Sequence, residues 1–257
     1  MNRTVRETAR IALACLDLTS LNDRHSDAEV IALCERARGA HGAVAAVCVW
    51  PRFARLARER LPAGVKVAAV ANFPDGSTDI ARTLRDIDAI AAAGAQEVDV
   101  VLPWRAMLAG DDTACAALLR AARHASAGLT LKVILETGEL RDEALIERAA
   151  RLALAEGADF LKTSTGKTAQ GATPQAAAVM LRAIAADAQA RSRVGFKAAG
   201  GIRTVADAAA YVDAVEHALG APALVPARFR LGASSLLGDI EAVLAGTPTT
   251  PTPPGSY

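Results

Sequence analysis

Two lysines stand where a lysine is costly. In ADFLKTSTGK (158–167) a short apolar run leads into Lys162 and then a polar Thr-Ser-Thr-Gly turn, and in VGFKAAGG (194–201) Lys197 holds the same kind of place. An ammonium ion taken out of water needs a partner or must lose its proton. Partial burial beside a like charge depresses a lysine pKa, leaving a free amine near neutrality. Such an amine attacks carbonyl carbons and forms a Schiff base. Asp99, within EVDVVLP (97–103), can keep one lysine charged while the other is neutral. A carboxylate beside an ammonium also shuttles protons. The alternative is a buried Lys–Asp network without chemistry, although two lysines per carboxylate is a poor way to stabilise a core.

Something must hold these groups together. Apolar runs at 12–18, 43–50, 65–73, 97–103, 129–136, 158–163, 193–198 and 229–234 read as strands. Between them lie helical patterns near 27–39, 51–60, 78–93, 111–126, 141–156, 174–190 and 204–219, with another near 235–245. Ser26-Asp27, Ser77-Thr78 and Thr173-Pro174 offer helix starts, and Gly94, Gly128 and Gly157 offer helix stops. Strand and helix in repeated alternation means a parallel sheet with right-handed crossovers. About eight units in 257 residues predicts an α/β fold, a single (β/α)8 barrel of the TIM type. A doubly wound open sheet is the alternative, but no Gly-x-Gly-x-x-Gly follows the first strand. Residues 1–11 read as an extra N-terminal helix, 1–246 as one barrel domain, and the Pro/Thr-rich 247–257 as a mobile tail.

Barrel strands are covered on both faces, so their middles should be apolar. Yet Asp17 is expected to end the first strand, Asp99 lies in the fourth, Lys132 and Glu136 flank the fifth, and Lys162 and Lys197 end the sixth and seventh. These groups are expected to face the C-terminal mouth, where barrel enzymes keep their active sites. Neighbouring strands about 4.8 Å apart bring Lys162 and Lys197 within reach of each other.

The loops after strands seven and eight suit an anion. AGGIRT (199–204) has paired glycines, Gly200 and Gly201, that let backbone N–H groups approach a ligand. Ser234 and Ser235 in GASSLLGD (232–239) start a helix, which favours phosphate. Arg203, and Lys167 in the STGK turn, could add charge. STGK is not a P-loop, because the upstream glycine is missing.

Composition narrows the partners. A formal net charge of +1 makes no bulk case for nucleic acid or an anionic membrane, and 4% aromatic residues supply no stacking platform for bases. No apolar run is long enough to span a bilayer, and MNRTVRETARI has no signal-peptide core. Cys15, Cys34, Cys48 and Cys115 are scattered without CxxC spacing, which fits free thiols in a reducing cytoplasm. His25, His41, His124 and His217 form no ligand pair, so no metal is expected.

Taken as blocks, LDLTSLN (16–22), VCVWPRF (47–53), VANFPDG (70–76), EVDVVLP (97–103), LKVILETGEL (131–140), ADFLKTSTGK (158–167), GFKAAGGIRT (195–204) and RLGASSLL (230–237) resemble the deoxyribose-phosphate aldolase family, in the family's order, from about residue 10 to 240. The resemblance implies a cofactor-free, Schiff-base aldolase that reversibly cleaves 2-deoxy-D-ribose 5-phosphate to D-glyceraldehyde 3-phosphate and acetaldehyde in deoxynucleoside breakdown. By motif match Lys162 would form the Schiff base, Lys197 would lower its pKa and Asp99 would complete the proton relay. Asp17 and Thr19 would meet the substrate hydroxyls, and Cys48 matches the family's active-site cysteine. Gly201, Ser234 and Ser235 would hold the phosphate, joined by Thr165, Gly166, Lys167 and Arg203, and the terminal Tyr257 would serve as a tail proton relay. A homodimer is also implied. Ala198 replaces a common proline, and Leu102 and Trp104 replace commoner aromatics. Two alternatives stay open: another Schiff-base barrel aldolase with a different donor or acceptor, and a sugar-phosphate binding barrel without turnover. The second would bind ligand but form no imine.

Overall fold

The apolar runs become strands because both their faces are covered. In the computed structural model, which describes residues 3–247, these are β1 Leu16–Ser20, β2 Ala46–Val49, β3 Lys66–Ala71, β4 Glu97–Val101, β5 Thr130–Ile134, β6 Phe160–Lys162, β7 Gly195–Ala199 and β8 Phe229–Ala233. Each pairs in parallel with the next, and β8 returns to β1, closing the barrel. The open-sheet alternative is thereby set aside. The expected tail from 248 and Tyr257 lie outside the described residues.

Local chemistry starts the helices where the chain must turn back. Thr4 and Glu7 form a reciprocal capping box before helix Val5–Ala14. Asp79, Asp111 and Asp142 accept backbone N–H groups at the starts of Ile80–Ala92, Asp112–Ala125 and Glu143–Ala155. Thr173 caps Pro174–Ala186 with Pro in its first turn, and Thr204 and Asp207 box Val205–Leu219. Gly94, Gly128 and Gly157 all carry positive φ, as the expected helix stops require.

Several boundaries move from their expected places. The N-terminal helix runs on to Ala14, because the Ala/Leu run after Ile11 continues its buried face through Ala12 and Leu13. Strand β1 therefore starts at Leu16, and Asp17 stands near its beginning rather than at its end. The segment expected as one helix over 174–190 breaks at Asp187, whose carboxylate accepts the N–H groups of Gln189 and Ala190 and opens the separate turn Ala190–Arg193. The helix expected from Ser77-Thr78 starts instead at Ile80, because Asp79 is the residue whose carboxylate caps it, accepting the Arg82 N–H, while Ser77 Oγ donates to Asn72 Oδ1 and accepts the Asp79 N–H. A two-residue ribbon, Arg38–Gly39 with Gly42–Ala43, was not foreseen.

Two glycines make room inside the barrel. A Cβ at Gly195 would overlap the Phe160 ring, and a Cβ at Gly232 would lie 3.0 Å from Lys197 Cε. The missing side chains on β7 and β8 are the space that Phe160 and Lys197 occupy.

Candidate active site

Strand register brings the two lysines together. Lys162 on β6 is the direct partner of Lys197 on β7, and Asp99 on β4 is the direct partner of Lys132 on β5. Lys197 also reaches Asp17 on β1 and Asp99 on β4, strands on other sides of the barrel. These contacts cross the interior, so the side chains point inward, as expected for Lys162, Lys197 and Asp99.

Asp99 is the hub. Its Oδ2 accepts from Lys162 Nζ at 2.8 Å and from Lys197 Nζ at 2.8 Å, while Oδ1 accepts from Lys132 Nζ at 2.7 Å. Lys132 Nζ also lies 2.6 Å from Glu97 Oε2. Arg230 closes the ring, with Nη2 donating to Glu97 Oε1 at 2.7 Å and Nη1 to Asp17 Oδ1 at 2.6 Å. Lys197 Nζ completes it on Asp17 Oδ2 at 2.5 Å. Every member is buried; Lys162 is 2% exposed, and Asp99, Lys132 and Lys197 are 0%.

Charge does not balance in this ring, and the imbalance falls on one lysine. Four bases (Lys132, Lys162, Lys197, Arg230) face three carboxylates (Asp17, Glu97, Asp99). Burial opposes the charge on Lys197, but Asp17 and Asp99 outweigh it and hold its pKa well above the ordinary lysine value. Burial opposes the charge on Lys132 too, and Asp99 with Glu97 again outweighs it, so its pKa rises. Lys162 shares Asp99 with both of the others. Burial dominates there, the nearby Lys197 charge adds to it, and its pKa is lowered. Asp99 is held well below the carboxylate range because its three lysines overcome its burial. The one lysine of the set whose pKa is lowered is also the one with any exposure.

A cavity of about 220 Å³ opens over the C-terminal ends of β6, β7 and β8, lined by Gly166, Thr168, Gly171, Gly200, Gly201, Arg203, Ser234 and Ser235, with Ala169 and Ile202. Gly200 and Gly201 have φ of 89° and 85°, a turn that glycine adopts without strain. Ser235 is the N-cap of helix Leu236–Ala245 and makes no side-chain capping bond. Backbone N–H groups, three hydroxyls and one guanidinium around such a space suit an anion.

Other expected site residues stand differently. Asp17 was expected to meet substrate hydroxyls, but both its oxygens are taken, one by Lys197 and one by Arg230, because it sits low on β1. Thr19 is 3% exposed and donates to the Asp17 carbonyl at 2.7 Å. Thr165 was expected at the phosphate, yet its hydroxyl donates to Glu136 Oε2 at 2.5 Å and it lines no part of the cavity. Lys167 Nζ donates to the Leu21 carbonyl at 2.7 Å, across the mouth. Cys48 is fully buried on β2, its thiol pKa raised by burial. All four cysteines are free. Among the described residues no group of three or more His, Cys, Asp or Glu side chains is arranged to hold a metal ion, and no helix is long and apolar enough to cross a membrane.

Glu97 and Arg230 were not foreseen. Strand alternation carried a signal for Glu97, two residues before Asp99 and so on the same face. Arg230 was the one charge in the otherwise apolar β8.

Known proteins share this plan. The family described as DeoC/LacD family aldolase matches residues 11–240. A deoxyribose-phosphate aldolase of Agrobacterium fabrum (strain C58 / ATCC 33970) is 46% identical over 244 residues, covering 94% of this chain and 93% of that one. A crystal structure from Toxoplasma gondii ME49, provisionally assigned as a deoxyribose-phosphate aldolase, superposes with a TM-score of 0.86 at 28% identity over 95% of this chain and 96% of that one. The tetrameric deoxyribose phosphate aldolase of Aeropyrum pernix gives a TM-score of 0.72 at 26% identity, over 93% of this chain and 92% of that one. With the matched family spanning all eight strands around the lysine pair, the chain belongs to the DeoC/LacD family of aldolases and is a carbon–carbon lyase.

Proposed function

We propose that this enzyme reversibly cleaves 2-deoxy-D-ribose 5-phosphate to D-glyceraldehyde 3-phosphate and acetaldehyde through a Schiff base on Lys162. The observation that carries the reading is the Asp99 oxygen shared by two lysines whose pKa values are pushed in opposite directions. A nucleophilic amine and an adjacent proton donor are what imine chemistry needs. The Agrobacterium relative carries the same activity in its name.

Neutral Lys162 Nζ adds to the aldehyde carbon of the open-chain sugar, and loss of water gives an iminium. The hydroxyl on the third carbon gives up its proton, and the bond between the second and third carbons breaks. Its electron pair moves into the iminium, leaving an enamine and releasing the phosphorylated aldehyde. Protonation of the enamine carbon and hydrolysis then free acetaldehyde and restore the amine. Lys197 with Asp99 supplies and collects these protons, and the phosphate rests against Gly200, Gly201, Arg203, Ser234 and Ser235. Asp17 serves by holding Lys197 charged.

The substrate places the enzyme in deoxyribonucleotide breakdown, and four free thiols fit a reducing, cytoplasmic setting. A homodimer is the proposed assembly, to be weighed by light scattering. Activity is tested by incubating the protein with the sugar phosphate and following acetaldehyde by proton NMR, with Lys162→Ala beside it. Release by the unaltered protein and none by the variant is expected. Tight binding of the sugar phosphate without release would make this a binding barrel.

A further inference from the structure

Glu136 is the buried carboxylate outside the lysine ring, and its backbone is unusual. It has φ 57° and ψ 57°, a left-handed conformation that non-glycine residues rarely take. Two bonds to the extension of β6 hold it there: Leu135 N–H donates to the Lys162 carbonyl and Thr137 N–H to the Thr163 carbonyl, each at 2.9 Å. Such strain persists where the surroundings over-determine it, and it gathers at functional sites.

The side chain grips the next loop. Glu136 accepts the Thr165 backbone N–H at 3.2 Å and the Thr165 hydroxyl at 2.5 Å. That hydroxyl in turn accepts the Lys167 N–H at 3.0 Å, which closes the turn around Gly166. Downstream the same loop is pressed from two sides. A Cβ at Gly138 would overlap the Gln170 carbonyl oxygen, and a Cβ at Gly171 would collide with the Gly200 backbone. Gly166, Thr168, Gly171 and Gly200 all line the anion cavity.

We propose that Glu136 is a positioning residue for phosphate recognition: its carboxylate fixes the 165–168 turn so that the cavity wall fits the phosphate of the substrate. It acts through the loop and not on the reacting carbons, so its removal should weaken selection for phosphorylated over free sugar. The inference rests on the proposed activity.

The test compares the enzyme with Glu136→Gln, Thr165→Val and Thr165→Ser on 2-deoxyribose 5-phosphate and on 2-deoxyribose. Affinity for inorganic phosphate is measured by calorimetry, and acetaldehyde trapping by borohydride is run on each protein. Expected for Glu136→Gln and Thr165→Val is a rise of about tenfold in KM for the phosphorylated sugar, with a matching loss of phosphate affinity. The preference for phosphorylated over free sugar should fall by the same factor, and Thr165→Ser should restore it. Equal losses on both sugars, or unchanged phosphate affinity in folded Glu136→Gln, would overturn the proposal. Should the unaltered protein trap no adduct, the aldolase reading fails, while the phosphate-affinity ratio between the proteins still decides the role of Glu136.

Discussion

Lys162 and Lys197 donate to one and the same oxygen, Asp99 Oδ2, each at 2.8 Å, from directly paired positions on adjacent strands. Lys197 has a second carboxylate, Asp17, and Lys162 does not. This asymmetry decides which amine loses its proton. Burial acts on both and the Lys197 charge adds to it at Lys162, but Asp17 with Asp99 keeps Lys197 charged.

The asymmetry predicts how pH governs the reaction. Imine formation needs neutral Lys162, so its rate should rise with pH along a limb below the ordinary lysine value of about 10.4. In Lys197→Met the repelling charge is gone and the limb should move to higher pH. Loss of the proton donor should also slow turnover at neutral pH by roughly 10²–10⁴-fold. A pH–rate profile of both proteins checks this; an unmoved limb would mean that Lys197 does not tune Lys162.

The inner half of the ring should be worth more to stability than to chemistry. Lys132 is wholly buried between Asp99 and Glu97. Lys132→Met removes the cation and leaves both carboxylates short of a partner. Breaking a buried pair from one side costs about 3–5 kcal/mol. Urea unfolding should show a loss of that order, with the Lys162 adduct still formed by whatever fraction stays folded.

Acid should dismantle the same ring. Burial alone would raise the Asp17 and Asp99 pKa values, but the surrounding bases depress both. A depressed folded-state pKa contributes stability above the unfolded value of about 3.9, and that contribution is lost as pH falls through the folded-state value. Stability attributable to these two groups should therefore be level near pH 6 and decline below about pH 4. In Asp17→Asn the decline should be shallower, from a lower starting stability. Urea midpoints measured across that range decide it.

The barrel was legible because its strands are apolar runs of even spacing, and the lysine pair because each lysine interrupts such a run; Lys162 does end β6, but Lys197 stands at the middle of β7, not at the end expected for it. Asp17 was harder. The Ala/Leu stretch before it reads equally as helix or strand, and the chain uses it as helix through Ala14. That shift of the strand start lowers Asp17 from the mouth to the layer of Lys197 and Arg230. The Thr165–Glu136 bond was hidden for a different reason. Glu136 is distant from Thr165 in sequence, and only the fold shows that the carboxylate reaches the loop first.

Space, as well as charge, sets the position of Lys197. At Gly232 a Cβ would stand 3.0 Å from both Lys197 Cε and Ala199 Cβ. Gly232→Ala should push the Lys197 chain aside and lower kcat by at least tenfold, at a stability cost of about 1–3 kcal/mol. Steady-state kinetics with a thermal melt separates the two; full kcat in a folded variant would show that Lys197 has room to give.

The central claim, that Lys162 is the nucleophile, is met most directly by borohydride trapping. The protein is incubated with acetaldehyde, reduced, digested and mapped by mass spectrometry, with Lys162→Ala alongside. The account predicts a reduced two-carbon adduct on the peptide bearing Lys162 and none in the variant. An adduct on Lys197 would reverse the roles of the two lysines. No adduct on a folded protein that binds the sugar phosphate would contradict Schiff-base catalysis altogether.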